Sequence, residues 1–340
     1  MTGQSVRVAG PGRCAMKWQS GSMRFTLVLL GVVCAMPAAA QDYPNKPIRL
    51  IVPYPPGGGN DTISRLLAQK INESWGQQVI VDNRPGAGTT IGTALAARAA
   101  PDGYTIVMSS VATHAMAPQL YAKPGYDALK DFAPVTLLAT TPMLMAISAA
   151  APYKSLNDLI TAARVTPGKL SYASGGNGTP PHLAAAIFAG KTGVQMVHVP
   201  YKGSGPALVD VMAGQVTTII DTAASATPHV RSGKMRGIAI TGKQRWPDLP
   251  EVPTFAEGGL VDYNASAWYS IHAPAGTPPA IIKKLNAELV RIVRLPEIRE
   301  RFRQMSAEAV GNTPQEFDVF VKAEITKWGE VIKALDLRID

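Results

Sequence analysis

An α/β fold is predicted by three observations. From Ile48 onward, short apolar runs alternate with segments of helical period, the pattern of parallel strands joined by crossover helices. Three neutral glycine-rich turns, Pro53 to Asp61, Asn83 to Gly92 and Ser174 to Thr179, each end a strand and open a helix. The length, 340 residues, predicts two domains, and a chain of this size buries roughly three quarters of the surface its unfolded form exposes.

The first 40 residues stand apart. They hold Arg7, Arg13, Lys17 and Arg24 with no acid, then an apolar core from Phe25 to Met36, then Pro37-Ala38-Ala39-Ala40. That is the layout of a secretory signal peptide with cleavage expected after Ala40, and its core is too short for the roughly 20 residues that span a bilayer. The protein is therefore expected in the periplasm. Met16 and Met23 are alternative starts that would give a leader of more ordinary length. Both cysteines, Cys14 and Cys34, fall inside the leader, so the mature chain is expected without disulfide, thiolate nucleophile or cysteine-based metal site. Removing the four leader cations from 33 Lys and Arg leaves 29 against 24 acids, a net charge of +5.

The elements follow in order. Ile48 to Val52 reads as a strand, and Asp61 to Trp75 as a helix with Ile63, Leu66, Leu67, Ile71 and Trp75 on one face. Val79 to Val81 and Tyr104 to Ser109 read as strands on either side of a helix from Thr89 to Ala100 and a Pro101-Asp102-Gly103 turn. Val135 to Ile147 is apolar with Pro142 inside it, which predicts two extended pieces and a change of direction, a candidate hinge. Ser155, with Asp158 three residues on, caps a helix from Leu156 to Arg164. Strands at Leu170 to Ala173, Val194 to Val199, Val216 to Ile220 and Gly237 to Thr241 then alternate with helices at Pro181 to Ala189 and Pro206 to Ala213. After a loop from Trp246 to Asn264, Ala267 to Ala273 is extended and reads as a return crossing. The remainder is helical: Pro278 to Leu295, Pro296 to Met305, and a last helix opened by Thr313-Pro314-Gln315-Glu316, an N-cap, a first-position proline and a capping-box Glu.

Several chemistries are poorly supported. Nucleic-acid binding calls for clustered cations with interleaved aromatics, whereas the densest patch, Arg291 to Arg303, mixes in Glu297 and Glu300 and reads as a solvated helix face. The five histidines, His114, His182, His198, His229 and His272, show no zinc spacing. There is no G-x-S-x-G elbow, no S-x-x-K signature and no phosphate-loop lysine. Gly86-Ala87-Gly88-Thr89-Thr90-Ile91-Gly92 approaches the dinucleotide fingerprint, but its third glycine comes one place late. What remains are the neutral turns. A helix start offers free N–H groups, and glycine lets a ligand approach them, so a small anion is the first ligand class they suggest.

The ordered motifs carry more. PNKPIRLIVPYPPGGGND at 44–61, NRPGAGTTIG at 83–92, PDGYTIVMSS at 101–110, YDALKDFAPVTLLA at 126–139, YASGGNGTPPHL at 172–183, VPYKGSGPALVDVMAGQV at 199–216, SGKMRGIAIT at 232–241, LPEVPTFAEGG at 249–259 and APAGTPPAII at 273–282 stand along nearly the whole mature chain. In these it resembles the substrate-binding proteins of tripartite tricarboxylate transporters, the Bug family. The resemblance implies a type II, Venus-flytrap periplasmic binding fold, with two lobes that are each a mostly parallel sheet flanked by helices, joined by two crossing strands. The boundaries it implies are 41–142 plus 267–340 for lobe 1 and 143–266 for lobe 2. It implies closure over one organic acid: a di- or tricarboxylate, an aromatic acid or an acidic amino acid.

The same resemblance implies the site. From lobe 1, Tyr54, Gly57, Gly58, Gly59, Asn60 and Asp61 hold a carboxylate, with Asp61 more a helix N-cap than a ligand group because an acid would repel it. Ala87 comes from the second turn, and Ser109, Ser110 and Thr113 line the cleft from the next strand end. From lobe 2 come Ser174, Gly175, Gly178, Thr179 and Asp221. No catalytic residue, metal or cofactor is implied. The chain departs from many relatives in having Ala117 where they carry Asn, and Ser270 where they carry Gly. The partners implied are membrane transporter subunits, with the receptor acting as a monomer. A sensor feeding a membrane signalling partner, or a secreted enzyme on the same scaffold, are the alternatives. Mass spectrometry of protein recovered from the periplasm is expected to place the mature N-terminus at Gln41; retention of the leader would refute the cleavage assignment.

Overall fold

The computed structural model describes residues 43–263 and 265–339; the leader, its cleavage site and both cysteines lie outside them. In chain order the elements are β1 (Ile48–Val52), α1 (Gly59–Trp75), β2 (Val79–Asn83), α2 (Thr90–Ala97), β3 (Thr105–Ser110), α3 (Ala117–Leu120), β4 (Phe132–Ser148), α4 (Leu156–Val165) and β5 (Ser171–Ser174). They continue as α5 (Pro180–Thr192), β6 (Val197–Pro200), α6 (Ser204–Met212), β7 (Thr218–Thr222), α7 (Ala223–Arg231), β8 (Met235–Ile240), β9 (Ser266–Pro274), α8 (Pro279–Val293), α9 (Pro296–Gln304), β10 (Glu308–Ala309) and α10 (Pro314–Ala334).

The strand order is β2-β1-β3-β9-β4-β7-β5-β6, with β8 and β10 also on β4. The triplets β2-β1-β3 and β6-β5-β7 are each parallel, and each gains its antiparallel neighbours through β9 and β4. The expected break at Pro142 is absent: β4 is one strand of 17 residues. What changes at Pro142 is the partner. Phe132 to Pro142 pairs with β9, and Met143 onward pairs with β7 and β8. Proline cannot donate to a ladder, and it is tolerated here because it sits where one ladder ends and the next begins. The two register shifts along the β9 pairing, at Pro134/Thr136 and Leu137/Ala139, take up the twist instead.

Helix α1 begins two residues earlier than its apolar pattern shows, because Gly59 and Asn60 form its first turn, and it buries Ile63, Leu67 and Ile71. α2 stops at Ala97 instead of Ala100. Helix α7 has no counterpart in the sequence reading: its inward face is Ala223, Ala226 and Thr227, too small to register as an apolar stripe, and Pro228 lies inside it. Ser155 and Thr313 form the capping boxes their spacing predicts.

One buried cluster deserves energetic account. α10 turns Phe317, Val321, Glu324, Trp328 and Ile332 inward at helical spacing, against the turn Val111–Met116, Leu120 and the α5 residues Leu183 and Phe188. Within it the indole N–H groups of Trp268 and Trp328 both donate to Oε2 of buried Glu324, each at 3.0 Å. A carboxylate shared by two indoles fixes how α10 sits on β9. Glu324→Leu leaves both donors buried without an acceptor, at about 1–3 kcal/mol each. The urea midpoint is expected to fall by the equivalent of about 2–5 kcal/mol with the slope unchanged; a loss below about 1 kcal/mol would show that the pairing contributes little.

Candidate ligand-binding site

The loops that follow β1, β2, β3 and β5 meet at one cavity of about 120 Å³, lined by Tyr54, Gly88, Thr89, Ala112, Ala117, Leu120, Tyr121, Asn177, Gly178, Thr179, Pro180 and Ile339. This is the position outside the carboxyl ends of parallel strands where α/β proteins bind ligands. Among these described lining residues none is charged.

The β1 loop is held by Asp61. Its Oδ2 accepts from the Gly57 N–H and from Arg65 Nε, both at 2.9 Å, and its Oδ1 accepts from Asn83 Nδ2 at 2.9 Å. Burial works against the charge, but the bonds from Arg65, Gly57 and Asn83 outweigh it and hold the carboxyl below its usual range. Asp61 is not itself the N-cap as expected; Gly58 occupies that position, with no side-chain cap, and Asp61 reaches back from the first turn. Gly59 sits so close to Tyr269 that a Cβ would lie 3.0 Å from the phenol oxygen. Asn60 Oδ1 is buried without a partner among the described residues. The Tyr54 hydroxyl shares a short hydrogen bond with Ser110 Oγ, and burial keeps that phenol neutral.

The β2 loop carries the site's most unusual backbone. Gly86, Ala87, Gly88 and Thr89 all have positive φ, at 128°, 44°, 56° and 86°. For a β-branched residue this is a strained conformation, costing on the order of 1–3 kcal/mol. Thr89 directly precedes α2 but makes no side-chain cap bond. The residue is 8% exposed, and its hydroxyl is buried with no partner among the described residues. Ala87, the residue expected here from sequence, is exposed; Thr89, which was not expected, lines the cavity.

The hydroxyls at the end of β3 are mostly committed to the fold. Ser109 Oγ lies 2.7 Å from His272 Nδ1, Ser110 accepts from the Ala112 N–H at 3.1 Å, and Thr113 Oγ1 accepts from the Ser110 N–H at 2.8 Å. His272 stacks on His114 at 4.0 Å, and burial drives His114 down to about 3 and His272 well below its ordinary value, so both rings stay neutral.

The β5 loop is braced from within. Ser174 Oγ accepts from the Gly176 N–H at 3.1 Å, donates to the Gly176 carbonyl at 3.1 Å and lies 2.6 Å from His198 Nε2. Thr179 Oγ1 donates to the Gly176 carbonyl at 2.7 Å, and the Gly178 N–H donates to His182 Nδ1 at 3.1 Å. That last bond assigns the His182 proton to Nε2. The two imidazoles stack 4.1 Å apart, with Tyr172 beyond His198 at 4.8 Å. α5 opens with Pro180-Pro181, so its first two positions have no N–H to offer. Gly178 is required by close approach: a Cβ would lie 2.6 Å from Ile339 and 2.9 Å from Leu120. Gly175 faces the backbone of Gly203 and Ser204. Asp221, at the end of β7, is buried; one oxygen accepts from the Thr222 N–H at 2.7 Å and Oδ2 has no partner among the described residues. Burial raises its pKa, against which Ser204 and the Thr222 N–H act, and it does not line the cavity.

A larger cavity of about 700 Å³ lies beside the partner exchange of β4, touching Thr140, Pro142, Ser266, Trp246 and the α9 arginines. Lys243, Arg245, Arg299 and Arg303 are its cations, and two of them are paired with acids. Arg245 pairs with Glu257, Arg303 with Asp248 and Glu300, and Glu308 is part of the wall. The segment after β8 walls it on one side, but none of the loops that follow β1, β2, β3 and β5 reaches it, so the smaller cavity is the candidate site.

Comparison with known proteins agrees with this architecture. The model of the tripartite tricarboxylate transporter family receptor matches residues 63–337. The chain belongs to that receptor family. It is 37% identical over 300 residues to protein BugT of Bordetella pertussis, covering 88% of this chain and 92% of that one. Among solved structures it is similar to a Rhodopseudomonas palustris protein solved with adipate, at 35% identity and a TM-score of 0.80, covering 87% and 99% of the two chains. It is also similar to MatC of the same organism with bound malate, at 32% identity and a TM-score of 0.76, covering 85% and 100%. The receptor therefore has the two-lobe type II fold of periplasmic binding proteins. Among the described residues no helix is long and apolar enough to cross a membrane.

The histidine brace gives the receptor a pH signature. His182 has its pKa lowered to about 4 by burial, with the neighbouring His198 adding to the effect, against an ordinary value near 6.5. Between those values the unfolded chain binds a proton the native chain refuses, so stability is intact above about pH 6.5 and is lost as the pH falls toward 4. The thermal midpoint is expected to drop across that window, and to drop less steeply in His182→Gln, which has no proton to gain. Equal slopes in the two chains would show that His182 does not carry the effect.

Proposed function

We propose that this receptor captures a small carboxylate-bearing metabolite in the periplasm and hands it to the membrane subunits of a tripartite transporter. The observation that carries the reading is Thr89, whose backbone is strained and whose buried hydroxyl has no partner among the described residues, in the lining of a cavity where loops from both strand groups meet. Backbone strain at an uncapped helix start, held in place around a free donor, is how a site is built for something that arrives later. The adipate and malate carried by two relatives support an organic acid as that occupant. In this reading the carboxylate takes its hydrogen bonds from Thr89 and the amides of the β2 and β1 loops, and Asp61 acts by fixing the β1 loop without touching the ligand.

The proposed lobes are 41–142 with 267–340, and 143–266. The change of partner between Pro142 and Met143, and the start of β9 at Ser266, support these boundaries. We further propose that the protein is exported, trimmed after Ala40, works as a monomer and is not an enzyme. Two Ser–His pairs exist, but the Ser174 and Ser109 side chains are both fully buried, which speaks against either as a nucleophile. Capture of membrane partners separates transport from sensing.

Calorimetry with purified mature protein against adipate, malate, citrate, benzoate and glutamate tests the reading, which fails if no acid yields heat or a thermal shift. Thr89→Val removes one hydrogen bond to a charged group, about 1.5–3 kcal/mol, so the dissociation constant is expected to rise roughly 10- to 150-fold. An unchanged constant would remove Thr89 from the site.

A further inference from the structure

We infer that Ile339 is a closure contact of this receptor: its side chain seats lobe 1 on the Gly178 turn of lobe 2, and ligand affinity depends on that seat being made. The inference rests on the two-lobe receptor reading above and adds to it a residue that holds the shut state.

Ile339 follows α10 and is fixed to lobe 1. Its N–H donates to the Leu120 carbonyl at 2.8 Å, and a parallel bridge pairs it with Tyr121, which packs against Gly88 of the β2 loop. Its side chain reaches the other way. A Cβ built on Gly178 would lie 2.6 Å from Ile339 Cδ1 and 2.9 Å from Leu120 Cδ1, so two aliphatic tips rest on glycine backbone with no room for a side chain between them. The Gly178 N–H donates to His182 Nδ1 at 3.1 Å, which holds the turn within lobe 2.

Gly178, Leu120 and Ile339 all line the 120 Å³ cavity. A rotation that opens a cavity between two lobes must part the lining residues that belong to opposite lobes, so this contact exists only while the cavity is shut. Arg303 with Asp248 and Ser306 with Thr227 also join the lobes, but none of these four residues lines that cavity. Apolar contact made in one of two states shifts the balance toward that state. If only the shut state grips a ligand, the apparent dissociation constant is the intrinsic one divided by the shut fraction.

A chain that starts at Gln41 has no cysteine, so spin labels can be set at Val165→Cys in α4 and Val319→Cys in α10, residues 75% and 68% exposed in opposite lobes. Pulsed electron resonance on the ligand-free chain then reads the shut fraction as the population at the label separation this structure gives. Ile339→Ala is expected to lower that fraction at least threefold, and to raise the dissociation constants of adipate and malate by the same factor. The effects of Ile339→Ala and Gly178→Ala are expected not to add, since one change vacates the seat that the other blocks. An unchanged shut fraction overturns the inference even where affinity falls, because Ile339 would then act on the ligand alone; additive effects overturn it too. Silence with every acid of the calorimetric panel removes the carboxylate reading, while the labels, which need no ligand, still decide the contact. Should Ile339→Ala fail to fold, Ile339→Val, which lacks only the Cδ1 that meets Gly178, decides in its place.

Discussion

The fold depends on one strand keeping its direction while exchanging its neighbours. β4 pairs with β9 through Pro142 and with β7 and β8 from Met143, so both parallel triplets hang from a single covalent rod. Because β1, β2 and β3 lie on one side of that rod and β5, β6 and β7 on the other, their carboxyl-end loops are brought to one place, where the small cavity opens. A kink at Pro142 would have aimed the two sets of loops elsewhere. The proline is compatible with straightness only because the ladder does not need its missing N–H at the point of exchange. α10 then fixes the arrangement by burying one face across the Val111–Met116 turn and α5 together, with Glu324 holding two indoles in register.

Much of this was legible in the sequence, for identifiable reasons. Strand and helix periodicity gave the α/β class and most element positions, because β1, α1, α4 and α10 carry strong apolar faces and α4 and α10 open with capping boxes. Helix α7 escaped because its buried face is alanine and threonine, whose burial leaves almost no hydropathy signal. Pro142 misled because a proline speaks about its own hydrogen bond and not about which strand lies beside it. The glycine-rich turns correctly located the loops that meet at the cavity, yet the residue that stands out there is Thr89. Its left-handed backbone ends a run of positive φ from Gly86 to Thr89 in which Gly88 packs against Tyr121, and a threonine before a helix ordinarily reads as a cap. The fully committed hydroxyls of Ser109, Thr113 and Ser174 could not be told from free ones by residue type alone, since only the fold supplies His272, the Ser110 N–H and the Gly176 amide as their partners.

The two lobes prepare the site in different ways. In the β1 loop a buried carboxylate, Asp61, gathers the Gly57 N–H and the Asn83 amide; in the β5 loop a neutral imidazole, His182, receives the Gly178 N–H. Both devices order a glycine-rich segment before any ligand is present, which lowers the entropy lost on binding. Both also consume donors that the glycines appear to advertise. Pro180 and Pro181 go further and delete two more. The β5 loop thus spends several of its donors on its own shape.

A lining without charged residues can still hold a carboxylate. Micromolar binding corresponds to about −8 kcal/mol, and hydrogen bonds to a charged group contribute about 1.5–3 kcal/mol each before the costs of association. A carboxylate has two oxygens and can use a strained hydroxyl and adjacent helix-start amides together, reaching that range without any lysine or arginine. The glycines at 86 and 88 permit the run of positive φ that ends at Thr89, which stands before α2 without capping it.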